Sequence, residues 1–279
     1  MSGRSIQDGH FFSIFAISPK EIFIRLNYRQ YGENGRHIII LHGLFGTLDN
    51  WQTISRELGN QYIVTAFDLR NHGRSPHADE FSVSTMASDV YEMIQLLKIP
   101  SAVIIGHSMG GKVAMVFSLA YPAVTDGMVS IDMAPKRYMR GHDDIFEALE
   151  RVDLNVGSRR EVEDVLAQTI TDYGTRQFLM KNLSRRHDEG GFEWKMNLPV
   201  IKANYEDILN PIDTTIVYDG PALFIRGGNS DYVLDEDKVF IKQIFRYAEF
   251  LTIKDAGHWV HADKPIETYN AIAEFTNQL

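Results

Sequence analysis

Ile104-Ile105-Gly106-His107-Ser108-Met109-Gly110-Gly111 is the stretch on which the fold turns. The apolar run Ala102 to Ile105 has the length of a buried strand, and from Gly110 to Ala120 the apolar residues recur at helical spacing. Between them lies a G-x-S-x-G element. A strand that reverses this sharply into a helix forces the central residue into a strained conformation, and the glycines leave room where side chains would clash. Ser108 is therefore expected with its hydroxyl exposed above a sheet, next to the unpaired amides and positive dipole end of a helix. That is where a nucleophile needs an anion stabilised.

Outward from this element the same alternation repeats. His37 to Leu41, Tyr62 to Phe67, Gly127 to Ile131, Pro221 to Ile225 and Ala248 to Ile253 read as further buried parallel strands. Helix-period segments separate them, at Leu48 to Leu58, Ser84 to Leu97, Asp235 to Arg246 and Pro265 to Leu279. The order implies an α/β domain with a mostly parallel central sheet flanked by helices. The alternating run Glu21 to Gln30, followed by Tyr31-Gly32-Glu33-Asn34-Gly35, suits an antiparallel edge hairpin at the start. From Met133 to Thr215 no strand is legible, only amphipathic helical stretches at Asp143 to Val152, Arg159 to Thr171 and Thr175 to Arg186. The chain is thus expected to divide into a core of residues 1–132 and 216–279 and a helical cap of residues 133–215, inserted before the penultimate core strand. Tyr138, Phe146, Tyr173, Phe178, Phe192, Trp194 and Tyr205 give that cap the apolar surface to hold itself together and roof a pocket.

Two more motifs supply what a serine nucleophile lacks. His42-Gly43-Leu44-Phe45-Gly46 follows a strand at the place where the second amide of an oxyanion hole belongs, so the backbone N–H groups of Leu44 and Met109 are the expected donors. His42 reads as a brace of that loop. Asp255-Ala256-Gly257-His258-Trp259 follows the last strand, in the chain order Ser, acid, His, which makes His258 the expected base and His261 its decoy. Asp68-Leu69-Arg70-Asn71-His72-Gly73-Arg74-Ser75 has the turn residues of a structural loop.

Rival readings of the same residues are weaker. Gly106 to Lys112 matches the first seven positions of a phosphate-binding loop, but Val113 stands where a magnesium-ligating hydroxyl is required. His258 and His261 invite a metal reading, yet neither an H-E-x-x-H pattern nor a third ligand accompanies them. No metal and no cofactor is expected. The excess of 37 acidic over 28 basic residues, a net charge of -9, argues against a general nucleic-acid surface. The absence of cysteine removes disulfides and thiolate chemistry, and no apolar run is long enough to span a membrane. Phe11 to Ile17 is apolar but lacks a cleavage signature, so it is read as an N-terminal extension packed on the domain, and the protein as cytoplasmic.

HGLFG, DLRNHGRS, GHSMGG and AGHWVHADKP, in that order, resemble the α/β-hydrolase superfamily across nearly the whole chain. Ser130 to Pro135 and Gly227 to Val233 are more narrowly similar to bacterial YbfF-type esterases, in which a serine occupies the usual acid position after the penultimate strand. That resemblance implies Asp132 as the acid, hydrogen-bonded with Ser230 and His258, and small-molecule carboxylic esters or acyl thioesters, including acyl-CoA, as substrates under a helical cap. Asp231 directly follows Ser230 and satisfies the ordinary acid spacing from Gly228, so it stands as the alternative acid. Lys136, Arg137 and Arg140 follow the Asp132 strand end and are candidates to receive the phosphates of an acyl-CoA. The same catalytic group would also serve a carbon–carbon bond hydrolase, a lactonase or an amidase. A ligand receptor with residual hydrolysis is the non-enzymatic alternative.

Overall fold

In the computed structural model the residues described are 23–187, 190–212 and 214–279. The stretch Phe11 to Ile17 lies outside them. Nine strands occur among these residues: β1 (Tyr28–Tyr31), β2 (His37–Leu41), β3 (Ile63–Phe67), β4 (Ala102–His107), β5 (Thr125–Ile131), β6 (Leu183–Arg185), β7 (Phe192–Trp194), β8 (Tyr218–Gly227) and β9 (Phe245–Ile253). Seven form one sheet in the order β1-β3-β2-β4-β5-β8-β9. All its pairings are parallel except β1 with β3.

Strand periodicity sorts the side chains of each central strand onto two faces. Ile38 and Ile40 join Val103, Ile105, Val129 and Ile131 in a core completed by Trp51, Ile54 and Ile272, whereas Ile39, Leu41, Ile104 and Met128 join Val113, Phe117, Val90 and Met93 on the other side. Helices cover both faces, as the continuous apolar runs require. The layering is that of an α/β-hydrolase fold.

Two expectations need correction. The first strand lies at the sheet edge and is antiparallel, but it pairs with β3 and forms no hairpin with β2. The reason is burial: HIIIL of β2 is taken on both sides by parallel neighbours, while half-exposed YRQY suits the free edge of β3. The interval between β5 and β8 is also not purely helical. Its helices Asp143–Arg151, Arg159–Leu166, Tyr173–Met180, Leu198–Ala203 and Tyr205–Leu209 are joined by the antiparallel pair β6 and β7. Strands of three residues are too short to show a period, and only the burial of Leu183 and Phe192 marks their inner face.

The interval shares a continuous core with the sheet's nearer face, through Phe146, Leu149, Leu166, Leu179 and Phe192. Lys112, on the helix Met109–Ala120, fastens the two parts by hydrogen bonds: its buried Nζ donates to the carbonyls of Ile208 (2.7 Å) and Asn210 (2.5 Å). These contacts hold that segment over the carboxyl ends of β4, β5 and β8.

Candidate active site

The parallel sheet brings the carboxyl ends of β4, β5, β8 and β9 side by side, and each end delivers one polar side chain. Ser108 follows β4 with φ 53° and ψ −121°, left-handed backbone that a non-glycine residue adopts only under constraint. The glycines make this possible. A Cβ on Gly106 would lie 1.9 Å from the Gly110 carbonyl oxygen, and one on Gly110 would lie 2.4 Å from that of Leu41. Asp132 follows β5, also at positive φ, and is completely buried. Ser230 lies in the turn after β8 and His258 in the loop after β9.

Hydrogen bonds join the four. His258 Nε2 lies 3.0 Å from Ser108 Oγ, and His258 Nδ1 lies 2.8 Å from Asp132 Oδ2. With Nδ1–H donating to the carboxylate, the lone pair of Nε2 faces the serine hydroxyl. Ser230 Oγ donates to the same Asp132 oxygen, and the Gly227 backbone N–H donates to the other at 3.0 Å. A carboxylate so far from water is tolerated because three donors satisfy it. Asp231, by contrast, is exposed and lies on the rim of a neighbouring cavity, and the ring nitrogen it would need is occupied by Asp132.

Leu44 and Met109 flank Ser108, one from the loop after β2 and one at the first position of the helix. Neither backbone N–H is given to another group among the described residues. The HGLFG loop is held by neutral histidines. Burial pushes His42 down to about 4, with Nδ1–H donating to the Gly43 carbonyl and Nε2 accepting from the Leu69 N–H. His72, pushed down by burial to about 3, likewise donates to the Arg70 carbonyl and accepts from the Phe45 N–H. Asp68 accepts from the Leu48 and Arg74 amides and the Asn27 side chain, so its loop is a scaffold. His107 lies beneath the site and donates Nε2–H to the His258 carbonyl at 2.8 Å, while His261 stacks on Trp51.

Two cavities meet at Ser108. One, about 50 Å³, runs between the HGLFG loop and Ile145, Phe178 and Trp259. The other, about 190 Å³, is bounded by Met133, Tyr138, Tyr205, Leu209 and Tyr232.

Several wall residues escaped the sequence reading. Tyr232 stacks on the His258 ring at 3.7 Å between centroids, and His142 faces both cavities. Of the aromatics expected to roof a pocket, Tyr138, Phe178 and Tyr205 line these cavities, Phe146 and Phe192 are core, and Tyr173 is exposed. Lys136 is paired with Asp237 at 2.6 Å, Arg137 with Glu206, and Arg140 with Asp143 and Glu206. None of these three cations lines either cavity. The described residues contain no group of three or more His, Asp or Glu placed to hold a metal ion, and no helix among them is long and apolar enough to cross a membrane.

Known proteins resemble this chain along most of its length. Over 263 residues the chain is 38% identical to the sn-1-specific diacylglycerol lipase ABHD11 of Xenopus tropicalis, covering 90% of this chain and 82% of that protein. It is 36% identical over 256 residues to esterase YbfF of Escherichia coli, covering 91% and 98%. A solved structure described as a marine microorganism esterase superposes with a TM-score of 0.88 at 41% identity, covering 90% of this chain and 99% of that one. Residues 36–265 match the model of the alpha/beta hydrolase fold family, and the chain belongs to that family.

Proposed function

We propose that the protein is a carboxylic ester hydrolase in which Ser108 attacks the acyl carbonyl and His258 takes its proton. The observation that carries this reading is the unbroken chain of hydrogen bonds from Ser108 through His258 to Asp132, set beside two free N–H groups where two cavities meet. Attack forms a tetrahedral oxyanion, which the Leu44 and Met109 amides receive without reorganising. His258 then passes its proton to the departing alkoxide, an acyl-enzyme forms, and water reverses the sequence. Asp132 holds the ring in the productive tautomer and balances the transient imidazolium, remaining ionised itself. Ser230 keeps Asp132 aimed. In this reading residues 133–215 are a cap on a core of 1–132 and 216–279, and the cap supplies the apolar walls that receive the acyl and alcohol parts. Relatives named as an esterase and a diacylglycerol lipase support an ester as the substrate class.

The test is labelling with a fluorophosphonate followed by peptide mass spectrometry. The adduct is expected on Ser108, and Ser108→Ala is expected to be unlabelled and inactive on short-chain esters. Labelling of Ser108→Ala at the wild-type rate would reject the reading. Acyl thioesters, acyl-CoA among them, are proposed as a second substrate class on the strength of Lys136, Arg137 and Arg140. Because each is already paired with a carboxylate, neutral esters take precedence. Neutralising all three is expected to raise KM for an acyl-CoA and leave KM for a neutral ester unchanged, and equal effects on the two would remove the CoA-specific role.

A further inference from the structure

Only Leu44, Ser108 and His142 line both cavities that meet at the candidate nucleophile. Two of the three are the serine and a residue of the loop after β2. The third comes from the opposite side, from the segment between β5 and β8, where His142 immediately precedes the helix Asp143–Arg151. An ester lying across the junction, its acyl part in one cavity and its alcohol part in the other, would meet both Ser108 and His142, which line the two cavities in common.

The partners of that ring define what it offers. His142 Nδ1 is hydrogen-bonded to the Tyr205 hydroxyl. When the phenol donates its proton to Nδ1, the neutral imidazole carries its own proton on Nε2. Burial and the proximity of His258 push His142 down to about 4, so the ring stays neutral at ordinary pH. Edge contacts with Phe45 at 6.1 Å and Tyr205 at 5.6 Å between centroids restrict its rotation. In that tautomer the neutral ring presents one N–H, with the Tyr205 hydroxyl bonded behind it, and is a preorganised group of the kind that stabilises developing negative charge.

We propose that His142 is a further catalytic residue, donating its Nε2–H to an oxygen of the ester group from the side opposite Ser108, with Tyr205 as its positioning residue. No proton is transferred in this contact. It complements the Leu44 and Met109 amides and acts on substrates in which the polar group lies between two apolar arms. The inference rests on Ser108 being the nucleophile.

The experiment compares His142→Phe, His142→Gln and Tyr205→Phe for kcat and KM on one short-chain ester, together with thermal unfolding and fluorophosphonate labelling. Loss of one hydrogen bond to a group gaining charge predicts a fall in kcat/KM of about 10- to 100-fold in His142→Phe, carried by kcat. His142→Gln, which keeps an N–H donor, is expected to recover part of that loss. Tyr205→Phe, which frees the tautomer, is expected to fall between wild type and His142→Phe. Turnover in His142→Phe within twofold of wild type overturns the proposal. So do equal losses in the Phe and Gln variants, which would assign His142 a packing role. If His142→Phe does not fold, the Gln and Tyr205 variants carry the comparison, and wild-type turnover in both overturns the proposal as well. Labelling separates this from the reading beneath it: an unlabelled wild-type protein rejects Ser108 as nucleophile, whereas a labelled protein indifferent to position 142 rejects His142 alone.

Discussion

Asp132 Oδ2 receives two donors at once, the His258 ring and the Ser230 hydroxyl, while Oδ1 receives the Gly227 amide. This crowding makes the difference between a carboxylate and an amide decisive. In Asp132→Asn one donor must face another, and the imidazole can satisfy the new side chain only by moving its proton to Nε2, where it no longer accepts from Ser108. We expect Asp132→Asn to stay folded and lose about three to four orders of magnitude in kcat, the scale known for the corresponding change in serine proteases. Asp231→Asn should stay within a few-fold of wild type, since Asp231 is exposed at a cavity rim. Steady-state kinetics on one ester decide the matter, and a collapse in Asp231→Asn beside normal turnover in Asp132→Asn would reverse the assignment.

Between elements, the loop that follows β3 is tied to the helix Val83–Leu96 by a buried bidentate pair. Arg70 Nε and Nη2 donate to the two Asp89 oxygens at 2.6 and 2.7 Å, and both side chains are almost inaccessible. A third donation, from Arg70 Nη1 to the Glu80 carbonyl, holds the chain entering that helix. Removing one member leaves a buried guanidinium without its countercharge. Asp89→Asn is therefore expected to cost about 3 to 5 kcal/mol in denaturant unfolding, far beyond the 0 to 1 kcal/mol typical of exposed pairs such as Arg151 with Glu147. A loss below 1 kcal/mol would mean that water reaches the pair. Because the same loop carries His72, which supports the Phe45 amide, some loss of turnover should accompany the loss of stability.

Across the whole molecule, several histidines are folded into the interior in the neutral form. Burial holds His42 near 4 and His72 and His261 near 3, and holds His107 well below its ordinary value of 6.5. Once the chain unfolds, each ring titrates near 6.5. Between these values the unfolded chain binds more protons than the folded one, so the stability present above pH 6.5 is lost as pH falls toward 4 and then 3. Each ring contributes a slope of about 1 kcal/mol per pH unit in that window. Melting measured from pH 7 to pH 5 should drop by about 10 °C or more. A flat profile would mean that these rings are protonated in the folded protein.

Residue order and spacing were enough to read the alternating strands and helices, the strand-to-helix turn at Ser108 and the position of His258 after the last strand. All of these follow from local chemistry: apolar runs of strand length, glycines where a Cβ would collide, and a histidine after the last strand. Asp132 was legible only as one of two candidates, because both positions satisfy chain order. It took the parallel pairing of β4, β5 and β8 to set Asp132 against His258, with Ser230 alongside. The hairpin β6–β7 and the crossing of β1 to β3 escaped for a similar reason, since strand partners are chosen by long-range burial. His142 and Tyr232 left no signal as wall residues, and Tyr205 only that of one roofing aromatic among several. Each is an ordinary polar aromatic residue whose role depends on which ring or hydroxyl folding places against it from a distant part of the chain.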